Sequence, residues 1–258
     1  MKKEDLICFA NNFIAEVLQY ESYFRAVKEN KGWDLIILGG SNVRGFNDYI
    51  SDLDLFLVVP ATSQLEFNLL PVNDYKYKGI GVDVSMIATE KVIRDMDNKM
   101  NYSWWMSSII LYYRNKTLKN NFLKASSLSQ PEFLEIIWTN FVIYEINTSK
   151  IYQSLQRNDL VSSHACFNEN IESLIMTILA DEGVFCHNKW YGHNLKKINP
   201  DLYKKILTFY KVDSLDIEIK NQQMKEYFIQ ILKKAGFSET EISNYEKCNL
   251  SKLLFQRL

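Results

Sequence analysis

Hydrophobic side chains in the N-terminal region recur at steps of three and four positions. Leu6, Phe9, Phe13 and Val17 follow this spacing, which is that of one face of an α-helix. The pattern predicts a helix over residues 4–30, ended by the glycine that follows it. We expect one face of this helix to pack against the rest of the chain.

Three short hydrophobic runs come next, and each is typical of a β-strand. Residues 34–38 and 53–59 consist largely of Leu, Ile, Phe and Val, as in strands buried on both faces. In residues 79–87 apolar and polar positions alternate, which places Val82 on one face and Asp83 on the other. The first part of the chain is therefore predicted to be mixed α/β.

Strands become rare after about residue 100, where helical spacing takes over. The predicted helices span residues 131–156, 166–185, 200–211 and 220–235, and a short capped turn is predicted at 238–245. The hydrophobic pattern thins out at 115–130, which indicates a boundary. We expect an α+β protein: a small mixed β-sheet domain with flanking helices over residues 1–120, then an all-α helical bundle domain over residues 121–258.

The composition is that of a globular protein without a strong charge bias. Hydrophobic residues make up 47% of the 258 residues, and the formal net charge at pH 7 is −1. Because proteins that bind a long nucleic acid usually carry a basic excess, this balance argues against a large RNA or DNA partner. The four cysteines are scattered without a Cys-x-x-Cys pair, as is typical of free thiols in a reducing compartment.

No segment has the pattern of a membrane span or a secretion signal. The stretch after the N-terminal lysines is interrupted by Asn11, Asn12 and Glu16, so it lacks a signal peptide's apolar run. No stretch approaches the roughly 20 apolar residues that cross a bilayer. We expect a cytoplasmic protein with no membrane partner.

The candidate chemistry lies in an Asp-x-Asp pair, Asp52 and Asp54, at the start of the second predicted strand. Side chains two positions apart on a strand share a face, so these carboxylates repel one another unless a divalent cation lies between them. Mg²⁺ prefers carboxylate and phosphate oxygens. Asp83 on the next predicted strand completes a carboxylate set if the two strands pair. Each of these residues also suits an ordinary surface position on a strand.

A glycine turn precedes the pair. Gly40 lets the backbone approach a phosphate closely, and Ser41 offers a hydroxyl and a backbone N–H at a predicted helix start. Arg44, one turn later, suits a charge-assisted phosphate contact, although it could instead be solvated or pair with Asp48. Together with the carboxylates, the turn predicts a site for a nucleoside triphosphate (NTP).

The combination of Gly40-Ser41, Asp52-x-Asp54 and Asp83 resembles the DNA polymerase β-like nucleotidyltransferase superfamily. The resemblance covers about residues 35–90. It implies a small mixed sheet, two Mg²⁺ ions and an NTP donor such as ATP. It also implies that Asp52 and Asp54 bind both metals, while Asp83 is the third ligand or the base that deprotonates the acceptor.

A sheet domain followed by a helical half also resembles the bacterial adenylyltransferases that inactivate aminoglycosides. The resemblance implies transfer of AMP to a hydroxyl of a small molecule, and antibiotic resistance. It also implies a lysine in the helical half that reaches the phosphates, for which Lys189 is the candidate; a lone lysine of this kind also suits a solvated surface.

Two other functions remain open. A toxin-like transferase would modify tRNA or a protein side chain, and an inactive relative would bind nucleotide without turnover. The apolar content of the helical half is also compatible with a homodimer. Neither the net charge of the chain nor the spacing of its residues distinguishes among these acceptors and partners.

Overall fold

The computed structural model of the protein describes residues 2–30, 32–43, 52–60, 73–97, 105–125 and 128–245. The chain forms two compact units, Met1–Ser127 and Leu128–Leu258. Lys116–Ala125 forms a helix that packs within the first unit.

The described part of the first unit is a mixed sheet with flanking helices. In chain order the elements are α1 (Lys3–Glu16), α2 (Ser22–Asn30), β1 (Leu35–Gly39), α3 (Gly40–Val43), β2 (Leu53–Val59), β3 (Asn73–Tyr77), β4 (Ile80–Ala88), α4 (Thr89–Asp97), β5 (Ile109–Tyr113) and α5 (Lys116–Ala125). The strand order is β3-β4-β2-β1-β5. Strands β2 and β4 are parallel, and the other neighbours are antiparallel. The predicted α+β class is confirmed.

The helix predicted over residues 4–30 is interrupted. α1 ends at Glu16, a single 3₁₀ turn covers Leu18–Tyr20, and α2 begins at Ser22. A continuous helix of that length would be ~40 Å long, well beyond the reach of strands of five to nine residues. The break lets Leu18, which is fully buried, join the same core as both helices.

One face of the sheet is covered by α1 and α2. Phe13 of α1 and Phe24 of α2 are buried in one cluster with Leu55 of β2 and Val84 of β4. Burial of such large side chains stabilises the fold by roughly 1.5–3 kcal/mol each. The predicted alternation in β4 is also confirmed, because Val82 and Val84 are buried on this face.

The opposite face has its own aromatic packing. Phe56 of β2 meets Trp105 edge to face, with ring centroids 5.0 Å apart, and Trp105 in turn contacts Phe122 of α5. The Trp105 Nε1 donates a 3.0 Å hydrogen bond to Asp95 of α4. Since side chains alternate along a strand, the residues on either side of Leu55 and Val84 point to this second face.

Strand β3 and its hairpin with β4 are absent from the sequence prediction. Tyr77 pairs with Ile80 across a two-residue turn formed by Lys78 and Gly79. Both turn residues have positive φ, 49° and 86°, as in a type I′ turn, whose twist matches that of the flanking strands. This tight turn fixes the register between β3 and β4.

The described part of the second unit is helical, as the sequence predicts. Its elements are α6 (Gln130–Gln156), α7 (Leu160–Asp181), a 3₁₀ turn (Asn188–Trp190), α8 (Tyr191–Ile198), α9 (Pro200–Phe209), a 3₁₀ turn (Ser214–Asp216) and α10 (Ile217–Lys234), followed by helical residues 239–245. α7 begins earlier than the predicted residue 166, because Asp159 caps it by accepting a 3.0 Å hydrogen bond from the Ser162 backbone. Among the described helices, none is both long and apolar enough to span a lipid bilayer.

A buried polar cluster joins α6, α7 and α10. Asn170 donates to the Asn221 side-chain oxygen at 2.8 Å, and Asn221 donates to the Thr148 hydroxyl at 2.9 Å. The Tyr144 hydroxyl donates to the Asn221 backbone carbonyl at 2.8 Å. Both asparagines are at least 99% buried, so these bonds replace hydration that the side chains lose on folding.

Candidate functional site

Strand pairing brings three aspartates into a row on the second face of the sheet. Asp54 of β2 pairs with Asp83 of β4, and Asp83 pairs with Asp74 of β3. Neighbouring strands lie about 4.8 Å apart, and paired residues point to the same face. We name Asp54, Asp74 and Asp83 the aspartate row.

Asp52 adds a fourth carboxylate beside this row. It lies just before β2, two positions from Asp54, and its side chain reaches Gly81 at the start of β4. The Asn42 side chain donates a 3.1 Å hydrogen bond to the Asp52 backbone carbonyl. This bond ties the start of β2 to the short helix α3, which follows β1.

Two glycines make room for the paired aspartates. A Cβ at Gly40 would overlap the Asp54 carboxylate, and a Cβ at Gly81 would overlap the Asp52 carboxylate. Gly40 also has a φ of +81°, a conformation that strongly favours glycine. The backbone of β1–α3 and of β4 therefore approaches both carboxylates more closely than any other residue type would allow.

The aspartates influence one another electrostatically. The pKa of Asp83 is raised from 3.8 to about 6, first by burial and then by the negative charges of Asp52, Asp54 and Asp74. A hydrogen bond between Asp83 and Asp74 acts in the same direction, because it favours the protonated form of Asp83. Four carboxyl groups thus share one region of negative potential, where a cation would relieve their repulsion.

The residue types in this region suit a hard divalent cation. Carboxylate oxygens are the ligands that Mg²⁺ prefers. Among the described residues, no three acidic, histidine or cysteine side chains are already arranged to hold a metal ion together. The aspartates suit a metal ion in residue type and in charge.

The other predicted residues fall in different places. Ser41 lies half-buried in α3, directly after Gly40 and on the same short segment that contacts Asp54. Arg44 lies outside the described residues. Lys189 is in the second unit, exposed in the 3₁₀ turn before α8, with its Nζ 5.9 Å from the Trp190 ring centroid. Within the described part of the first unit, Gly40 and Ser41 are the predicted phosphate contacts that lie beside the aspartates.

Asp74 and Gly81 are the members of the site that the sequence interpretation missed. Asp74 belongs to a short alternating segment, in which Tyr75 and Tyr77 face the core while Asp74 and Lys76 are exposed. That alternation before the Lys78-Gly79 turn is the signal that could have revealed both the hairpin and the Asp74 carboxylate.

Comparison with known proteins gives a structural likeness and no family. No protein-family model matches the chain, and no curated protein matches it. A solved structure described as a nucleotidyltransferase-like protein from Exiguobacterium sibiricum 255-15 is similar, with 11% sequence identity and a TM-score of 0.47. The alignment covers 97% of this chain and 80% of that chain. At such low identity the functional argument depends on the residues themselves.

Proposed function

We propose that the protein is a metal-dependent nucleotidyltransferase that moves a nucleoside monophosphate, with ATP as the expected donor, onto a hydroxyl of a small molecule. The observation that carries this proposal is the pairing of Asp54 with Asp83 on parallel strands, with the Asp52 carboxylate against Gly81 of the same strand as Asp83. The resemblance of the Gly40-Ser41 and Asp-x-Asp segments to the polymerase β-like superfamily supports it.

Asp52 and Asp54 are the proposed ligands of two Mg²⁺ ions, and Asp83 is proposed as the third ligand or as the base that deprotonates the acceptor. Bound Mg²⁺ would neutralise the triphosphate and favour attack on its α-phosphorus. The aspartates hold that charge in place, because β2 and β4 fix their backbones and the two glycines keep the space beside them open. Positioning and charge neutralisation of this kind can supply most of the rate enhancement in phosphoryl transfer.

The proposed reaction is an in-line displacement. The acceptor oxygen forms a bond to the α-phosphorus while the bond from the α-phosphorus to the bridging oxygen breaks, and pyrophosphate leaves with that bonding pair. The acceptor proton passes to a carboxylate or to solvent. Asp83 is the candidate for the carboxylate, since its pairing with Asp54 places it on the same face of the sheet as the proposed metal ligands.

Gly40 and Ser41 are the proposed contacts for the triphosphate. Gly40 brings the backbone close to the Asp54 carboxylate, and Ser41 offers its hydroxyl and N–H from the same turn. Lys189 and Arg44 remain predicted phosphate contacts. An acceptor of the aminoglycoside type is supported by the near-neutral net charge and by the resemblance of the chain's two-part organisation to the antibiotic adenylyltransferases.

The test is pyrophosphate release by the purified protein. We would supply Mg²⁺, each common NTP in turn, and a panel of aminoglycosides and related drugs. Asp54→Asn should abolish release, while Asp97→Asn, an exposed aspartate at the end of α4, should leave it unchanged. Release that depends on one drug and on Asp54 would establish the chemistry and the acceptor class.

Two other outcomes are informative. NTP binding without release in the presence of any drug would redirect the search to tRNA or protein acceptors. Full release by the Asp54→Asn protein, or a wild-type protein that binds no Mg·NTP, would overturn the proposed function.

A further inference from the structure

The helical unit contains a pocket of its own. It lies between α7, the 3₁₀ turn at Asn188–Trp190, α8 and α9, and its volume is about 360 Å³. That volume is at the small end of known ligand cavities, so the pocket suits a molecule of one or two rings. All of its walls belong to the second unit.

Three tyrosines and aliphatic side chains line the pocket. Tyr191 is buried, Tyr203 is half-buried and Tyr210 is 51% exposed, which orders the aromatic side chains from the interior to the mouth. Leu207 adds an exposed apolar surface beside them. Aromatic faces around an accessible space attract cations through the negative potential of the ring, and they bind apolar rings by stacking.

One exposed carboxylate and one exposed ammonium group line the pocket beside the tyrosines. Glu172 of α7 lines the same pocket. Burial and then the negative charge of Glu172 raise the pKa of Tyr210, and Glu172 is also among the charges that raise the pKa of the more buried Tyr191. The field of Glu172 therefore reaches both hydroxyls. Lys189 also lines the pocket, so a cationic group is favoured near Glu172 and disfavoured near Lys189.

We propose that this pocket binds a small organic cation, an amine or quaternary ammonium attached to an apolar ring, with the ammonium beside Glu172 and the ring among Tyr191, Tyr203 and Tyr210. The combination of one carboxylate with several aromatic faces is what such a ligand requires, since the carboxylate offsets the charge and the rings replace hydration. The inference does not depend on nucleotidyl transfer.

Binding of three probes to the full-length chain tests the proposal by calorimetry. Benzyltrimethylammonium, benzyl alcohol and benzoate share a ring and differ in charge. We expect the cation to bind about tenfold more tightly than the alcohol, a difference of the size that a partly desolvated cation–π contact and an ion pair produce. Glu172→Gln should remove most of this difference and leave the affinity for benzyl alcohol unchanged.

Two further variants complete the test. Lys189→Met should tighten binding of the cation, whereas Glu135→Gln, an exposed glutamate on α6, should change nothing. Asp54→Asn should bind the cation like wild type, which separates this proposal from the proposed transferase activity. Equal or tighter binding of benzoate than of the cation, or full cation affinity in Glu172→Gln, would overturn it.

Discussion

Gly81 lies against the Asp52 carboxylate so closely that a Cβ at position 81 would overlap it. The contact links the first residue of the Asp-x-Asp pair to the strand that carries Asp83. A side chain at position 81 would force Asp52 away from its present position. The position of the Asp52 carboxylate therefore depends on a glycine, which has no side chain of its own to take part in the chemistry.

Gly81→Ala should consequently lower metal-dependent transfer at least about tenfold while the protein still folds, because a displacement of about 1 Å in a catalytic group can cost far more than its effect on stability. Mg²⁺-dependent thermal stabilisation should shrink in parallel. Gly79→Asn is the control, since a Cβ there meets nothing within 4 Å and Asn tolerates positive φ. Wild-type metal response in Gly81→Ala would contradict the role assigned to this contact.

Asp83→Asn should stabilise the metal-free protein at neutral pH. The folded protein raises the pKa of Asp83 from 3.8 to about 6, so it binds this proton more tightly than the unfolded chain does. Stability from this group is therefore lost as pH rises from about 4 through about 6. A neutral Asn avoids that loss, so its melting temperature should exceed that of wild type by a few degrees at about pH 7.5 and not at pH 4.

The same Asp83→Asn variant should lose the gain in melting temperature that Mg²⁺ gives the wild type, because one proposed ligand is gone. Thermal melts at both pH values, with and without Mg²⁺, measure the two effects together. A variant less stable than wild type at neutral pH without metal would show that Asp83 is not electrostatically strained.

Asp74→Asn should shift the pH dependence of transfer. Both the charge of Asp74 and its hydrogen bond raise the pKa of Asp83, so removing them lowers that pKa. If Asp83 accepts the proton, the acid limb of kcat/KM should move to lower pH, with a smaller loss of rate than in Asp54→Asn. An unchanged acid limb would assign the proton to another acceptor.

Asn221→Ala should destabilise the helical unit by about 2–3 kcal/mol, because it removes a buried partner from both Thr148 and Asn170. Urea unfolding, compared with the exposed Asn120→Ala on α5, measures this loss. Thr148→Val combined with Asn221→Leu should recover part of it, because fewer buried polar groups are then left without a partner. Additive losses in the double variant would argue against a coupled cluster.

Sequence patterns predicted the parts of this site that are encoded locally. Asp52 and Asp54 share a face because of their spacing alone, and the alternation around Asp83 places it opposite the buried Val82 and Val84. The pairing of Asp54 with Asp83 depends on the parallel neighbours β2 and β4, which lie apart in the chain. The sequence made that pairing plausible but could not select it from other strand orders.

The elements that the sequence did not predict were missed for a similar physical reason. Strand β3 is short and lies at the sheet edge, so its hydrophobic signal is confined to Tyr75 and Tyr77. Asp74 can be recognised as part of the carboxylate group only when the hairpin pairs it with Asp83. The interruption after Glu16 was hidden because the apolar spacing continues through it, and tertiary packing of Leu18, not local propensity, decides the break.

The two-residue turn at Lys78 and Gly79 also limits how this region can vary in length. Because side chains alternate with a period of two, one extra residue in that turn would shift the pairing of β3 and β4 and separate Asp74 from Asp83. If β4 shifted by one residue to accommodate the insertion, the Asp83 side chain would point into the apolar core. The turn at Gly183 follows the helix α7 and does not join two paired strands, so it lacks this constraint. Insertions should therefore be tolerated at Gly183 and selected against at Gly79.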